Sequence, residues 1–403
     1  MSDRMIVVSS DCHAGLPIAE YKPYVEEKFH DILDIAVPIT IEMSTKASES
    51  FLIKEINDQW RIGIEDRLTG AWVYEQRVAM LDEDGIAAEM IFPDGITEVN
   101  TPPFGAGLSM PTKDMTPELQ WAGAMAHNRW LSEFCANNPA RHHGVAVIPL
   151  LWDVQLAVEN MRWCYDNGFR HVMIPVMTHE FPGYNHIKYD PFWEACESLG
   201  VMVHFHSGPG PMEDFFGPDF PMDPAKDRPG AMGLYVSEVM WWLYRPLAFM
   251  IWGGVFERFP RLKACLTEGG TNWMLEYWLK MLDFHSTEGP ESAKLGDFRA
   301  HLSMLPSEYF MRNIGVGASC AKRGDMAVTN FLGKDKLMWG SDYPHPEGTW
   351  PETETRLVEN FSGFPESDIR KVLGENAIKW YGMSEDALRP IADRIGPQFS
   401  QFQ

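Results

Sequence analysis

Eight short runs of apolar, β-prone residues recur along the chain: 5–10 (MIVVSS), 87–92 (AAEMIF), 144–149 (GVAVIP), 171–176 (HVMIPV), 201–206 (VMVHFH), 262–267 (LKACLT), 313–318 (NIGVGA) and 336–341 (KLMWGS). Helical stretches lie between them, at 118–138, 154–168, 190–200, 236–259 and 271–284. Strands that alternate with helices of this length predict βαβ units and a parallel sheet. Eight such strands predict an α/β fold, a single closed (β/α)₈ TIM barrel, rather than an open doubly wound sheet. No strand is followed by the glycine fingerprint of a dinucleotide site.

Three segments exceed a minimal barrel: 14–76 after the first strand, 93–114 after the second and 207–233 after the fifth, the last with Gly or Pro at 11 of its 27 positions. Each follows a strand, so each is expected on the face where barrel enzymes carry their chemistry, as lid, substrate wall or subunit contact. The chain reads as one barrel over 1–383, closed by an amphipathic packing helix at 365–383 entered through Pro, Ser and Asp, with 384–403 as a peripheral tail.

Composition narrows the function classes. A length of 403 residues with 45% hydrophobic and 23% charged residues belongs to a folded, globular chain. The net charge of -23 argues against nucleic acid or an anionic membrane as a bulk partner. Cys12, Cys135, Cys164, Cys196, Cys265 and Cys320 include no CxxC pair, as expected of buried, reduced thiols. The four residues before the first apolar run are too few for a signal peptide, and no stretch approaches the roughly 20 apolar residues of a membrane span, so a cytoplasmic location is expected.

The strand ends carry the candidate chemistry. Residues i and i+2 of a strand share a face, so Asp11 and His13 point one way and Cys12 the other; His204 and His206 pair likewise. Glu268 follows the sixth run and Asp342 the eighth. An aspartate ending one strand is commonly a turn or cap residue. Four strand ends bearing Asp11, His13, His206, Glu268 and Asp342 are a different matter, because a barrel brings them to one axis, where carboxylates cannot stay ionised together without a cation. The expected cofactor is one divalent metal ion; mixed N/O ligation suits Zn²⁺ best, and the carboxylate-rich version also suits Mn²⁺ or Fe²⁺.

The segments SSDCHAG, VMVHFHSG, LTEGGTNW, LMWGSDYPHPEG and LGENAIKWYGM, in this order and spacing, resemble the amidohydrolase-related (amidohydrolase 2) family of metal-dependent barrels, in the branch of aminocarboxymuconate semialdehyde and resorcylate decarboxylases. The resemblance implies that Asp11, His13, His206 and Asp342 bind the metal, with His204 as the fallback for His206, and that Asp342 also moves protons. Glu268 stands where many relatives have a histidine; it can serve as acid, base or extra ligand but not as an imidazolium. The resemblance implies non-oxidative decarboxylation of an aromatic or unsaturated acid, with Asp342, Glu268 or His345 as the acid. Hydrolysis of an amide, ester or lactone is the alternative, and a metal-poor binding barrel a third reading. A carboxylate substrate asks for a cation, for which Arg77, Arg245 and Arg228 are the candidates. Phe215 and Phe216, among the loop aromatics, suit an apolar or aromatic small molecule. A homodimer is the expected assembly.

Overall fold

In the computed structural model, residues 4–51, 68–93, 100–108, 110–111, 115–208, 210, 230–269, 273–287 and 298–403 are described. Each apolar run is a strand: β1 (Val8–Ala14), β2 (Ala88–Pro93), β3 (His142–Val147), β4 (His171–Met173), β5 (Met202–His206), β6 (Ala264–Thr267), β7 (Ile314–Ser319) and β8 (Leu337–Gly340). All neighbours pair in parallel, in the order β1 to β8. The chain just past β8 returns to β1, where the Asp342 amide donates to the Asp11 carbonyl at 2.9 Å and the His13 amide to the Tyr343 carbonyl at 2.7 Å. The sheet is thereby nearly closed, which is the predicted TIM barrel.

The register separates the two faces of the wall. Val8, Met90, Phe92, Val145, Val147, Met173, Met202, Cys265 and Met338 form one buried cluster that fills the barrel. The opposite face, with Ile91, Ala146, Val172, Val203, Leu266, Val316 and Trp339, shares a second cluster with the surrounding helices. Both faces being apolar explains why these strands read as continuous runs in the sequence. Helices Pro117–Ala136 and Val154–Asp166 begin at side-chain caps, Thr116 accepting from the Leu119 amide and Asp153 from the Leu156 amide.

Several expected boundaries move, each for a local reason. The helix expected at 236–259 is Ala231–Trp252 followed, after Gly253 and Gly254, by the single turn Val255–Arg258. The packing helix at 365–383 is broken into Glu366–Arg370, a wide turn Lys371–Glu375 and Asn376–Tyr381. At the wide turn Gly374 lies so close to the chain leading into β1 that a Cβ would stand 2.1 Å from the Ile6 carbonyl oxygen. The first insertion contains a helix, His30–Phe51, that the sequence pattern left unassigned; it buries Leu33 and Ala36 and exposes Ile32, Ile35 and Ile39. Residues 384–403, expected to be peripheral, include the helix Glu385–Ile395, whose Leu388 and Ala392 join the barrel-filling cluster beside Ile6 and Val8, and Gln398 bridges to Arg4.

All six cysteines are free thiols. Among the described residues, no helix is long and apolar enough to cross a membrane. Most of the third insertion, with Phe215, Phe216 and Arg228, lies outside the described residues.

Candidate metal centre

The first strand does not alternate simply. A bulge between Ser9 and Cys12 places one extra residue on β1 relative to β2, and such an insertion re-aims the side chains that follow it. Ser10, Asp11 and His13 consequently face the barrel interior, while Cys12 packs outside with Met80, Tyr343 and Trp350. The Ser9 hydroxyl pins the bulge, donating to the Asp11 carbonyl at 2.7 Å and accepting from the Ser341 amide at 2.8 Å. Space for it comes from β8, because a Cβ on Gly340 would lie 2.9 Å from the Asp11 Cβ. Gly340→Ala should therefore displace Asp11 and weaken metal binding by at least about tenfold, the lower end of what losing a positioning partner costs a site. A chelator-competition titration of the folded variant measures it, and an unchanged affinity would exclude the bulge from the site.

Around Asp11 the other strand ends converge. The Asp11 Oδ1 is 3.2 Å from His206 Nε2 and 3.5 Å from His13 Nε2, and His13 Nε2 is 3.4 Å from Asp342 Oδ1. His345 Nδ1 is 2.9 Å from the same Asp342 oxygen, and its ring stacks on that of His13 with centroids 4.0 Å apart. Asp11, His13 and Asp342 are at most 1% exposed, and His206 is 6% exposed. Two sets of donor atoms are close enough to share one ion: Asp11, His13 and His206, and His13, Asp342 and His345.

Second partners aim these donors. His13 Nδ1 bonds the Pro93 carbonyl at 3.0 Å, which makes it the protonated nitrogen and leaves Nε2 with its lone pair toward the cluster. His206 Nδ1 bonds the Ser207 carbonyl at 2.9 Å in the same manner. The Ser319 hydroxyl donates to Asp11 Oδ2, leaving Oδ1 for the centre. His13 Nε2 is buried without a hydrogen-bond partner and faces two carboxylate oxygens, an arrangement of acceptor against acceptors. A cation resolves it, and two imidazoles with two carboxylates fit a divalent transition ion.

Charge confirms how tightly the groups are coupled. Burial alone would lower the basicity of His206, but the adjacent Asp11 carboxylate overrides it and the imidazole is pushed up to about 9. Asp342, despite its burial, is held well below the usual carboxylate range by His345 and His13. Glu268 is raised to about 7, by burial and by repulsion from Asp342, and accepts a hydrogen bond from the Ser207 hydroxyl. Its side chain is 30% exposed, so it reaches from the cluster toward the mouth, with Oε2 3.7 Å from His206 Nδ1. Glu268, Cys320 and Asp342, at the ends of β6, β7 and β8, hold φ values of 55°, 51° and 58°. This left-handed conformation costs a non-glycine residue about 1–3 kcal/mol and concentrates at functional sites.

Of the residues singled out in the sequence, Asp11, His13, His206, Glu268, Asp342 and His345 meet in this cluster. Three do not. His204 lies one layer deeper, its Nδ1 3.0 Å from the Thr267 hydroxyl and its Nε2 3.1 Å from His171 Nδ1, and burial with repulsion from His206 lowers it to about 3. It is a satisfied core histidine rather than a group presented to substrate. Arg77 is fully buried on the helix side of the wall, bound to Glu89, away from the cluster's donor atoms. Arg245 is exposed on helix Ala231–Trp252, 5.5 Å from the centre of the Trp242 ring. Reading the sequence missed Ser207, Ser319 and Phe92, whose ring centre is 4.8 Å from that of His206. A hydroxyl one step past His206 and another at the end of β7 were the available signals.

The amidohydrolase family profile matches residues 101–383. The 2-amino-3-carboxymuconate-6-semialdehyde decarboxylase of Dictyostelium discoideum is 23% identical over 257 residues, 64% of this chain and 65% of that protein's length, just under two thirds of it. The 5-carboxyvanillate decarboxylase of Sphingomonas paucimobilis superposes with a TM-score of 0.63 at 17% identity, covering 94% of this chain and 100% of that one. The dihydroxybenzoic acid decarboxylase of Polaromonas sp. JS666, determined with bound manganese and the inhibitor 2-nitroresorcinol, does so at 0.60 and 16%, covering 95% and 99%. With the profile spanning most of the chain and the barrel and strand-end cluster in place, the chain belongs to the amidohydrolase family, in its amidohydrolase 2 group.

Proposed function

We propose that the chain is a metal-dependent carboxy-lyase that removes CO₂ from a small aromatic or unsaturated carboxylic acid. The observation that carries this reading is the convergence of Asp11, His13, His206 and Asp342, with His13 Nε2 directed at two carboxylates. Those four residues would hold the ion. When bound, the ion supplies positive charge for the substrate's carboxylate and a neighbouring oxygen. The mixed nitrogen and oxygen donor set suits Zn²⁺ or Mn²⁺, and the Polaromonas decarboxylase holds manganese, so Mn²⁺ is the first ion to test.

The chain's own groups do the rest. Pro93 and Ser207 fix the imidazole orientations through their carbonyls, and Phe92 gives the site an apolar floor. Glu268, whose carboxyl is raised by burial and by the Asp342 charge, lies at the mouth, fixed by the Ser207 hydroxyl, and is the group placed to carry a proton. As the bond to the carboxylate carbon breaks, its electron pair remains on the substrate carbon, CO₂ leaves, and Glu268 delivers the proton to that carbon. The 30% exposure of its side chain lets it recover a proton from solvent.

The test is a substrate panel. Protein loaded with Mn²⁺ is offered hydroxybenzoates, unsaturated acids, lactones and amides while CO₂ is followed. Release from an acid of the first two classes, lost on chelation, is the expected result. Turnover of a lactone or amide, with no CO₂ from any acid, would replace this reading with hydrolysis. Less than stoichiometric metal, with activity indifferent to chelation, would remove the metal dependence.

A further inference from the structure

Behind the wall that carries Asp11 and His13, a buried charge network makes direct contact with the backbone of the cluster. Arg77, on helix Tyr74–Glu83, is fully buried. Its Nε donates to Glu89 at 2.9 and 3.1 Å and one terminal nitrogen to Glu89 at 2.6 Å, a forked pairing with a residue of β2. The other terminal nitrogen donates to the His13 carbonyl at 2.9 Å. Its guanidinium lies 4.6 Å from the centre of the Tyr343 ring, the residue after Asp342. Glu89 is completed by His142 Nδ1 of β3 at 2.9 Å. Burial opposes the Glu89 charge, but Arg77 and His142 hold the carboxyl low, to about 2.

The contact to His13 sits where the ladder ends. The His13 amide is taken by the Tyr343 carbonyl across the closing seam, and its carbonyl is taken by Arg77 rather than by a neighbouring strand. One guanidinium therefore fixes the peptide of His13, and through the Tyr343 ring it packs against the chain that presents Asp342. A planar, forked cation can do all of this at once, whereas an ammonium has no flat face and no paired donors.

We propose that Arg77, held by Glu89, is a positioning residue of the metal centre: it sets the spacing of His13 and Asp342 across the β1–β8 seam without touching ion or substrate. The proposal rests on the reading of the cluster as a metal site, and the experiment separates the two. Metal-free protein is titrated with Mn²⁺ in competition with a chelator, and the bound ion's electron paramagnetic resonance line shape is recorded. Arg77→Lys, and the double variant Arg77→Met with Glu89→Leu that removes both charges of the Arg77–Glu89 pair, are compared with wild type. Arg141→Lys is the control, because Arg141 is equally buried and also binds backbone carbonyls and an acid, those of Ile86, Ala87 and Asp82, at the start of β2.

Folded Arg77 variants should bind Mn²⁺ about 10–100-fold more weakly, as outer partners of metal ligands do, with an altered line shape. Arg141→Lys should lower Tm and leave affinity within about twofold. Either folded Arg77 variant at wild-type affinity would overturn the proposal, and so would failure of both to fold, which would assign Arg77 to the fold alone. A wild-type protein that binds no Mn²⁺ would instead remove the metal-site reading itself.

Discussion

Replacing His206 by alanine is expected to abolish the proposed stoichiometric Mn²⁺ retention and to reduce the proposed carboxy-lyase turnover by at least about a thousandfold, some 4 kcal/mol of barrier. His206 is one of two imidazoles in the donor set, and its Nε2 lies 3.2 Å from Asp11 Oδ1. Without it, Asp11 keeps the Ser319 hydroxyl but loses its neighbouring imidazole, and only Asp11, His13 and Asp342 remain of the four proposed donors. The fold should survive, because His206 closes the mouth of a barrel whose packing lies below it in Val147, Met173 and Cys265. Far-UV circular dichroism and metal analysis on the same sample check both halves. His204→Ala is the informative comparison: it empties a site deeper in the core, where His171 and Thr267 are the partners, and should lower Tm while one ion per chain remains. If His206→Ala retains the ion and His204→Ala loses it, the ligand assignment on β5 is reversed.

The strands were legible because a barrel wall buried on both faces reads as eight continuous apolar runs, and no competing signal has that regularity. The cluster was legible for a related reason: ligand-type residues at strand ends have no packing explanation once several must meet on one axis. What the sequence could not show is the bulge. Simple alternation puts Val7, Ser9 and Asp11 on one face, yet Ser9 and Asp11 face opposite sides, because the extra residue resets the period between them. Arg77 was misread for an equally physical reason. A lone arginine beside a predicted active-site strand looks like an anion receptor until Glu89, twelve positions on, is seen to lie on the outward face of β2, opposite it. Strand direction gives the face only when the register is known. The helix His30–Phe51 was missed because its pattern, interrupted by Pro38, leaves Ile32, Ile35 and Ile39 exposed beside the buried Leu33 and Ala36, so these apolar positions do not mark one face.

Asp342→Asn should be as damaging to turnover as the loss of His206 while leaving the shape of the site almost unchanged. Asp342 is 1% exposed and its carboxylate is held in the charged form by His345 at 2.9 Å and His13 at 3.4 Å, so the negative charge, rather than the volume, is what the position contributes. Asparagine keeps the volume and one acceptor but presents a neutral group, and its amide nitrogen can turn a donor toward His13 Nε2, the atom that must keep its lone pair for the ion. The left-handed backbone at this residue, φ 58°, is one that asparagine tolerates well among non-glycine residues, so the substitution adds no backbone strain. We expect Mn²⁺ affinity to fall at least tenfold and CO₂ release by about a thousandfold or more, the latter even at saturating Mn²⁺, because the carboxylate is proposed to bind the ion and, as the family resemblance implies, to move protons as well. Measuring turnover across a Mn²⁺ titration separates the two effects: recovery to within tenfold of wild type at high metal would confine Asp342 to holding the ion, and near-normal activity without added metal would exclude it from the site.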